Sequence, residues 1–347
     1  MTVETQVCTC VYVGNAETSE IHVYRLSGET GELMLVETVA IPGVVKAGIS
    51  TPLAIHPDKR VLFAGMRGEP TFAASFQIDA DDGTLTHVAN GPLPDRMAYL
   101  ATDRTGAFLL SASYTGHKIA VNPIAPDGRV QAPIQIIPTE PNAHAILPDP
   151  ANRYVLATSL GGGLLKQFRF DAATGRLEPN EPAAVRVKDK AGPRHFVFHP
   201  DGHRVYLLNE LDASVCVFDY DPIRGQLEQR QTLSALPRDF RGQPSAADLH
   251  LTPDGRFLYT SERASNTLAG FRVDPGAGTL ALLGHTPTEE QPRGFNIDPS
   301  GRYLLAVGQR SHRMTSYRID PSSGELAQLK TYPMGRNPNW VEMITLP

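Results

Sequence analysis

The sequence has few cysteines and a single tryptophan. Three cysteines occur among 347 residues. Cys8 and Cys10 lie two apart, on the same face of any strand that contains both, and this spacing does not favour a disulfide. Cys216 stands alone in an apolar run. We therefore expect reduced, packed cysteines rather than a disulfide framework.

Long apolar runs and blocks of charge are also missing. No stretch approaches the roughly 18 apolar residues of a membrane span, and the N-terminus lacks the pattern of a secretory signal. The net charge is −5 with no basic cluster, which argues against binding to nucleic acid or to an anionic membrane. We expect a cytoplasmic protein with neither partner.

The motifs of several enzyme classes are absent too. The chain has no C-x-x-C or H-E-x-x-H motif and no carboxylate cluster with the spacing of a calcium or zinc site. No G-x-S-x-G elbow is present, which disfavours a serine hydrolase. The sequence therefore predicts no metal and no cofactor.

Glycine and proline, by contrast, are abundant, and one turn segment occurs in seven similar copies. The seven copies are RLSGETGEL, QIDADDGTL, PIAPDGRV, FDAATGRL, DYDPIRGQL, RVDPGAGTL and RIDPSSGEL. Their glycines are Gly31, Gly83, Gly128, Gly175, Gly225, Gly278 and Gly324, at intervals of 45 to 53 residues. A period of this length is typical of propellers, solenoids or arrays.

Each repeat contains the signals of four strands. Segments such as FHPDGHRVYLLNE read as a strand, a Pro-Asp-Gly turn and a second strand; SVCVFDY follows as a third strand, and the repeated turn leads to a fourth. This pattern predicts an all-β, seven-bladed β-propeller with four antiparallel strands per blade, forming a single domain over residues 1–347. The last blade is completed from both termini, because CTCVYVGN lacks a preceding first strand and NPNWVEMI at the C-terminus resembles one.

Polar residues recur where the first strand of each blade begins and the second ends. Arg194 lies eight residues before Gly202 and Glu210 lies eight after it, so we expect the two to face each other at one rim. The first-strand positions are Thr51, Ala98, His144, Arg194, Ala247, Arg293 and Asn339, and the second-strand positions are Asn15, Arg67, Tyr114, Leu160, Glu210, Arg263 and Gln309. We call these fourteen positions the polar ring.

The polar ring includes four arginines, and two residues further along the first strands the side chains are apolar. The apolar set is Leu53, Leu100, Ile146, Phe196 and Phe295, with Leu249 at a neighbouring register. Single arginines at strand ends are commonly solvated or paired with carboxylates. Four arginines that converge on one axis repel one another unless an anion joins them, so the pattern favours a site for an anion or a carbonyl group.

Three segments carry a resemblance to a known family. They are AGPRHFVFHPDG…YLLNELDASVCVFDY, AADLHLTPDGRFLYTSERASNT and TEEQPRGFNIDPSGRYLLAVGQRSHRMTSYRID. They closely resemble the bacterial propeller-type 6-phosphogluconolactonases, a lactonase family that includes fungal carboxy-cis,cis-muconate cyclases. The resemblance covers essentially the whole chain and implies metal-free hydrolysis, or in the cyclase branch formation, of a lactone.

The family's proposed catalytic residues fall on five positions of this sequence, which are His144, Arg194, His195, Glu210 and Arg263. Two positions depart from the family pattern: Tyr99 replaces a frequent histidine, and Glu262 replaces a more common asparagine or aspartate. Because Tyr99 is expected near the mouth of the channel, this departure bears on the identity of the substrate.

The residue types suggest roles in hydrolysis. Glu210 is predicted to be the general base on water, held by Arg194, while His144 or His195 passes the proton to the ring oxygen and Arg263 polarises the carbonyl. The predicted substrate-binding residues are Arg67 and Arg293, for a distal anionic group, together with Asn15, Tyr114 and Gln309.

The strand pattern gives some histidines a possible structural role. His195 falls on the alternate face of its strand from Arg194, and it could equally pack between blades. His199 and His250 precede turns and are expected to pack within blades or to hydrogen-bond the turns.

The predicted substrate is a sugar lactone with an anionic group, 6-phospho-D-glucono-1,5-lactone, hydrolysed to 6-phosphogluconate. An unphosphorylated aldonic or aldaric lactone, a muconate-type lactonising reaction and a non-catalytic propeller scaffold remain as alternatives. The absence of Trp-Asp repeats argues against the scaffold. A closed propeller needs no partner chain, so we expect a monomer or a weak homodimer.

Overall fold

The computed structural model describes residues 9–346, and this part of the chain contains 28 β-strands and no α-helix. The strands form seven antiparallel sheets of four strands each. This arrangement confirms the predicted all-β class, the seven blades and the four strands per blade. None of the described residues forms a helix that could cross a membrane. The single domain predicted for residues 1–347 includes termini outside the described residues and stays a prediction, as does the reduced state expected of Cys8, which also lies outside them.

Blades 1 to 6 follow one another along the chain, each with its strands in the order inner to outer, and blade 7 combines both ends. Blade 1 contains β4 (Leu53–Ile55), β5 (Val61–Met66), β6 (Phe72–Ile78) and β7 (Leu85–Pro92). Blade 2 contains β8 (Met97–Thr102), β9 (Phe108–Ser113), β10 (Lys118–Pro123) and β11 (Gln135–Pro138). Blade 3 contains β12 (Ala143–Pro148), β13 (Tyr154–Ser159), β14 (Leu164–Asp171) and β15 (Arg176–Arg186). Blade 4 contains β16 (Pro193–Phe198), β17 (Arg204–Asn209), β18 (Ser214–Asp221) and β19 (Gln226–Ser234).

The remaining blades complete the ring. Blade 5 contains β20 (Ala246–Leu251), β21 (Phe257–Glu262), β22 (Thr267–Val273) and β23 (Leu280–Pro287). Blade 6 contains β24 (Pro292–Ile297), β25 (Tyr303–Gly308), β26 (Arg313–Ile319) and β27 (Leu326–Pro333). Blade 7 contains β28 (Pro338–Thr345), β1 (Thr9–Asn15), β2 (Glu20–Leu26) and β3 (Leu33–Ala40), in that order.

The ring closes through the C-terminal strand. Consecutive inner strands contact one another around the axis, and β28 contacts both β24 and β4. Strand β28 also pairs with β1, with Thr9 opposite Thr345. The predicted completion of the seventh blade from both termini is therefore confirmed, and the inner edge of β1 is covered rather than left open.

The repeated glycine turns join the third and fourth strands of every blade, as predicted. All seven glycines have positive φ angles, between 65° and 84°, a conformation that costs a side chain free energy. Gly225 also lies against the ring of Tyr154 from the preceding blade, and a Cβ atom at this position would overlap that ring. This turn therefore requires glycine for its backbone conformation and for the packing between blades.

Apolar side chains fill the spaces between neighbouring blades. One cluster joins Leu156 and Leu165 of blade 3 to Phe196, Leu207 and Phe218 of blade 4. Burying each such side chain stabilises the fold by about 1.5–3 kcal/mol. The apolar wall predicted from the first strands lies within these clusters, and its members are at most 2% exposed.

Close to one rim, the strand pairing of the innermost ladder is irregular. The register shifts in six of the seven described blades, between Gly14 and Asn15, Met97 and Tyr99, Ala143 and Ile146, Pro193 and His195, Ala246 and Leu249, and Pro292 and Gly294. A β-bulge breaks the strict alternation of side chains between the two faces of a strand. Most residues of the candidate active site lie beside these bulges.

Candidate active site

Glu210 lies between two arginines at the rim where the inner strands begin. Its Oε2 is 2.9 Å from Nε of Arg194, and its Oε1 is 2.9 Å from Nη2 of Arg263. Arg194 comes from β16 and Arg263 follows β21, so the three side chains join two blades. The predicted meeting of Arg194 and Glu210 is confirmed, although the ladder pairs Pro193 with Asn209 and Glu210 follows the strand end.

The carboxyl of Glu210 is held in its ionised form. Burial raises its pKa, but Arg194 and Arg263 lower it by more, and the pKa lies below its ordinary value. Its side chain remains 19% exposed. The carboxylate is therefore charged at neutral pH and accessible to a small molecule or to water.

Arg194 is almost fully enclosed. It is 1% exposed, its Nη1 donates to the carbonyl of Ala247 in the next blade, and the same nitrogen lies 3.3 Å from Nε2 of His195. Burial lowers the pKa of Arg194 to about 10, partly offset by Glu210. These contacts fix the guanidinium against Glu210 and leave it little surface for a ligand.

His195 lies on the propeller axis. Its ring contacts Tyr99 of blade 2, His144 of blade 3 and Trp340 of blade 7, with centroid distances of 5.1, 5.0 and 5.9 Å. His195 therefore packs between blades, as one of its two interpretations predicted, and its catalytic role stays a prediction. The bulge between Pro193 and His195 brings Arg194 and His195 to the same side, where strict alternation would separate them.

The contacts of His195 also define its charge state. Burial and Arg194 lower its pKa to about 4, so the ring is neutral at neutral pH. Its Nδ1 is 2.8 Å from Oδ1 of Asp248, and its Nε2 faces the donor Arg194. A neutral imidazole has one donor and one acceptor nitrogen, so Nδ1 carries the proton and Nε2 accepts.

His144 is a second neutral imidazole at the centre. Burial lowers its pKa well below the ordinary value, and Arg194 lowers it further. Its Nδ1 is buried without a hydrogen-bond partner among the described residues. Its ring contacts Tyr114, with the centroids 5.8 Å apart. A buried ring nitrogen without a partner is uncommon in proteins and favours a role with a ligand.

The side chain of Arg293 makes no hydrogen bond and no ion pair with any part of the chain between residues 9 and 346. Burial lowers its pKa well below the ordinary value, and Arg194, Arg263 and Arg67 lower it further. These three arginines are therefore its electrostatic neighbours. An unpaired guanidinium surrounded by other cations is suited to binding an anion.

Arg67 is 6% exposed and is only partly paired. Its Nη1 donates to Oγ of Ser50 over 2.8 Å, while its Nε is buried without a partner among the described residues. Burial lowers its pKa to about 10, and Arg96 lowers it further, partly offset by Asp95 and Tyr114. The structure thus places Tyr114 beside both His144 and Arg67.

The other two predicted substrate-binding residues lie apart from this cluster. Asn15 has no exposed surface, and its Nδ2 donates to the carbonyl of Val13. Gln309 is partly exposed and donates to Oδ1 of Asn337 over 2.7 Å. Neither residue contacts Glu210, Arg194 or the two histidines, so substrate binding by Asn15 and Gln309 stays a prediction.

Glu262, one of the two departures from the family pattern, supports the rim beside Arg263. Its side chain is 1% exposed and accepts hydrogen bonds from the backbone N–H groups of Ser245 and Ser265. Nε of Arg263 in turn donates to the carbonyl of Ser245 over 2.9 Å. Glu262 therefore fixes the loop on which Arg263 rests.

Deeper in the channel lies a cluster of which only Tyr99 was predicted to lie near the site, and Tyr99 was expected nearer the mouth. We call Tyr99, Asp248, His250, Trp340 and Glu342 the channel floor. Nε2 of His250 is 3.3 Å from Oδ2 of Asp248, and Nε1 of Trp340 donates to Glu342 over 2.9 Å. The packing expected of His250 is confirmed, because its ring centroid lies 4.9 Å from that of Phe295 in blade 6, but its hydrogen-bond partner is Asp248 and not a turn.

Two ionisable groups of the channel floor have pKa values above their ordinary ones, for different reasons. Burial raises the pKa of Glu342 to about 7. Burial lowers the pKa of Asp248's neighbour His250, but the Asp248 carboxylate raises it by more, so the net shift is upward. A charged residue inside an inner strand, such as Asp248 in AADLHL, is the signal that could have located this cluster from the sequence.

The arrangement suits chemistry on a carbonyl compound that carries an anionic group. The ionised carboxylate can accept a proton, two neutral imidazoles can exchange one, and partly paired guanidiniums can stabilise negative charge. No group of three or more metal-ligating side chains occurs among residues 9–346. The absence of a metal or cofactor from the reaction itself stays a prediction.

Comparisons with known proteins agree with this geometry. Residues 10–343 match the family model described as lactonase, 7-bladed beta-propeller. The chain is 43% identical to a 6-phosphogluconolactonase of Serratia proteamaculans over 96% of this chain and 98% of that one. A 6-phosphogluconolactonase of Pectobacterium carotovorum is 42% identical over 97% and 98% of the two chains.

Solved structures with the same fold are also similar in sequence. The periplasmic gluconolactonase of Pseudomonas aeruginosa superposes with a TM-score of 0.88 and is 28% identical, over 98% of this chain and all of that one. A Bacteroides fragilis protein superposes with a TM-score of 0.89 and is 26% identical, over 99% of both chains.

Proposed function

The chain belongs to the lactonase family of seven-bladed β-propellers, and from this premise we propose that it hydrolyses 6-phospho-D-glucono-1,5-lactone to 6-phosphogluconate. The observation that carries the proposal is the ion pair of Glu210 with Arg194 and Arg263, next to the unpaired Arg293. Two relatives above 40% identity, aligned over almost their full length, bear the name of this activity.

The reaction adds one water across the ester bond of the lactone. The water oxygen bonds to the carbonyl carbon, and the bond between that carbon and the ring oxygen breaks. One water proton passes to the base and a proton reaches the ring oxygen, which becomes a hydroxyl group. The new carboxylic acid then ionises, so each turnover releases one proton to the solvent.

Glu210 is the general base on the attacking water. It is ionised and partly exposed, whereas Arg194 is enclosed and acts by holding the carboxylate in place. Arg263 has more exposed surface than Arg194 and lies against the other oxygen of Glu210. Its guanidinium polarises the lactone carbonyl and stabilises the oxyanion that forms.

The histidines transfer the proton, and the remaining arginines bind the phosphate. His144 faces the centre with no hydrogen bond to the described chain, and it delivers the proton to the ring oxygen, with His195 beside it. Arg293 and Arg67 bind the phosphate, which supplies the negative charge that the arginine cluster lacks. Tyr114, which lies beside His144 and Arg67, contributes a hydrogen bond to a sugar hydroxyl.

The test of this function is acid release from freshly prepared 6-phosphogluconolactone, followed with a pH indicator and corrected for spontaneous hydrolysis. We expect the wild-type chain to accelerate it and Glu210→Gln to lower kcat by about 10²–10⁴-fold, the usual effect of removing a general base.

The matched control for Glu210→Gln is Glu140→Gln. Glu140 forms a 2.9 Å ion pair with Lys166 on blade 3, away from the arginine cluster. This control should keep wild-type kcat. A Glu210→Gln variant with wild-type kcat would exclude Glu210 as the base.

A second candidate substrate is an unphosphorylated aldonic lactone. It is favoured by the structural similarity to the Pseudomonas aeruginosa gluconolactonase. The same assay with glucono-1,5-lactone separates the two candidates. A higher kcat/KM for the unphosphorylated lactone would identify it, and not the phosphate ester, as the preferred substrate. The absence of acid release from every lactone tested would contradict the enzymatic proposal as a whole.

Two further properties belong to the proposal. A cytoplasmic location follows from the substrate, because a charged phosphate ester does not cross a lipid bilayer unaided. A monomer or weak homodimer is expected, because the ring closes within one chain. Cell fractionation and light scattering of the purified protein test these two points.

A further inference from the structure

Two adjacent residues of blade 5 hold two adjacent residues of blade 4. The carbonyl of Ala247 accepts a hydrogen bond from Arg194, and the carboxylate of Asp248 accepts one from Nδ1 of His195 over 2.8 Å. Arg194 and His195 also contact each other, at 3.3 Å. The arginine that pairs with Glu210 thus depends on blade 5 both directly and through His195.

Asp248 is itself held from three sides. Its Oδ1 accepts from the backbone N–H of Leu249 over 3.0 Å in addition to His195. Its Oδ2 accepts from His250 over 3.3 Å and lies 3.5 Å from the backbone nitrogen of Phe295. The Asp248 side chain is 14% exposed. Its carboxylate therefore has one orientation, with Oδ1 towards His195.

This orientation determines which nitrogen of His195 carries a proton. The carboxylate can only accept, so Nδ1 of His195 donates to it, and Nε2 keeps its lone pair. Nη1 of Arg194 lies against that lone pair. If the proton moved to Nε2, two donors would face each other and Arg194 would lose one of its acceptors.

We propose that Asp248 is a positioning residue for lactone hydrolysis, acting through His195 on Arg194 and thereby on Glu210. This inference rests on the proposed function. Asp248 does not touch the reacting atoms: it fixes the tautomer of His195, the imidazole then holds the guanidinium, and the guanidinium orients the catalytic carboxylate. A comparable carboxylate orients the histidine in the Ser-His-Asp triad.

Two substitutions at the same position separate positioning from a general structural effect. In Asp248→Asn, the amide oxygen takes the place of Oδ1, because the donors at that place are closer (2.8 and 3.0 Å) than those at Oδ2 (3.3 and 3.5 Å). His195 therefore keeps its Nδ1 proton. In Asp248→Leu, the acceptor is lost while the volume is kept. We expect Asp248→Leu to lose about 10²-fold in kcat with KM changed less than about three-fold, and Asp248→Asn to lose less than about ten-fold in kcat.

A second measurement follows the tautomer directly. Ring ¹⁵N chemical shifts of histidine-labelled protein distinguish Nδ1–H from Nε2–H, and the His195 signals are assigned by their loss in His195→Gln. We expect Nδ1–H in the wild type and in Asp248→Asn. In Asp248→Leu we expect Nε2–H, because Nδ1–H has lost its acceptor and the ring is no longer held with Nε2 towards Arg194. If Asp248→Leu does not fold, Asp248→Ala removes the same acceptor and takes its place in both measurements.

The matched control is Asp201→Leu in the same blade. It removes the carboxylate that lies 3.1 Å from Nδ1 of His199, at the opposite end of the β16–β17 pair. This variant should keep wild-type kcat and leave the His195 signals unchanged.

Three results would overturn the proposal. They are wild-type kcat in Asp248→Leu, an unchanged Nδ1–H tautomer in that variant, or equal losses in the Asn and Leu variants. Failure of the proposed function is recognised separately, as a wild-type chain that hydrolyses no lactone, because the ¹⁵N shifts do not depend on activity.

Discussion

At the scale of single residues, the site places one carboxylate among several guanidiniums. Glu210 is shared by Arg194 and Arg263, while Arg293 has no partner of its own in the described chain. The cations suppress one another's proton affinity and keep the carboxylate ionised. In the free protein the arginines therefore repel one another, and a bound anion would reduce this repulsion.

The first prediction concerns pH. Burial raises the pKa of Glu210, but the two arginines lower it by more, and the pKa of His195 lies at about 4. The reactive forms are the deprotonated ones, so activity is lost as the pH falls. We expect kcat at saturating lactone, which does not report the ionisation of the free substrate's phosphate, to be constant at neutral pH and to decline as the pH falls towards about 4.

This prediction is checked by initial rates on fresh lactone at constant ionic strength, with the spontaneous reaction subtracted. An inflection near pH 6.5, where an ordinary imidazole titrates, would contradict the assignment of both the base and the neutral histidines.

The second prediction concerns the phosphate. Arg293→Met removes a charged hydrogen-bond donor that is not used within the described protein, and one such bond contributes about 1.5–3 kcal/mol. We expect KM for 6-phosphogluconolactone to rise about 10–100-fold, with little change in kcat and no change in KM for glucono-1,5-lactone.

Arg310→Met serves as the control, because Arg310 lies on the same blade but is 65% exposed and interacts only weakly with Glu290, at 3.9 Å. Equal effects of Arg293→Met on the two lactones would show that Arg293 does not bind the phosphate.

Residue spacing alone could predict much of this site, with one systematic error. Counting from the turn glycines located Arg194, Glu210, Arg263 and His144, because the inner hairpins have nearly equal lengths. It missed Asp248 and the hydrogen bond between Asp248 and His250. Strict alternation fails at the bulges, and the sequence contains no local signal for a shift that depends on how the inner strands pack around the axis.

At the scale of the structural element, the repeated glycine turn between the third and fourth strands also packs against the preceding blade. In blade 4, Gly225 donates its N–H to the carbonyl of Asp221 over 2.7 Å with φ of 65°, and the ring of Tyr154 packs against it from blade 3. The hydroxyl of Tyr154 donates to the carbonyl of Ile223 in the same turn. Each such turn therefore also fixes the preceding blade.

The third prediction follows from this packing. Gly225→Ala imposes a left-handed conformation on a residue with a side chain and overlaps the Tyr154 ring, so we expect a loss of about 2–4 kcal/mol in the free energy of unfolding. Gly163→Ala is the control, because Gly163 has a similar φ of 68° but open space where the Cβ atom would lie.

The control should lose only about 1–2 kcal/mol. Urea denaturation of the two variants under identical conditions measures the difference. Equal losses would show that packing between blades does not depend on the absence of a Cβ atom at Gly225.

Strands and turns were predictable because their signals are local and repeated seven times. Pro-Asp-Gly turns and β-branched runs recur at fixed spacing, and each copy supports the others. The register within each ladder was harder to predict from the sequence. The Arg194–Glu210 contact was predicted, but the ladder places Asn209 opposite Pro193, because the bulge absorbs one residue.

At the scale of the whole molecule, the ring is held closed by its last strand. Strand β28 pairs with β1 and packs against the inner strands on both sides. It buries Val341, Met343 and Ile344, and it carries Trp340 and Glu342 of the channel floor. The closure was predictable because the terminal segments complement each other's missing strands.

The fourth prediction is that a chain ending at Arg336 does not fold cooperatively. Burial of each of the three apolar side chains contributes about 1.5–3 kcal/mol, which together is comparable to the roughly 5–15 kcal/mol that stabilises a typical protein. Near-UV circular dichroism and thermal denaturation should show loss of the cooperative transition.

A circular permutant is the control for this truncation. Its ends lie between the exposed residues Pro42 and Gly43, and a linker joins the original termini, which is feasible because Thr9 lies opposite Thr345. The permutant should melt within a few degrees of the wild type. A truncated chain as stable as the permutant would contradict the importance of β28.

The closing strand has a consequence for how the protein is made. Strand β1 leaves the ribosome before the other blades are made, and its partner β28 is synthesised about 330 residues later, which takes roughly 15–70 s at ordinary rates of translation. Throughout that time the inner edge of β1 has no partner strand. Such an edge can pair with a neighbouring nascent chain until β28 covers it.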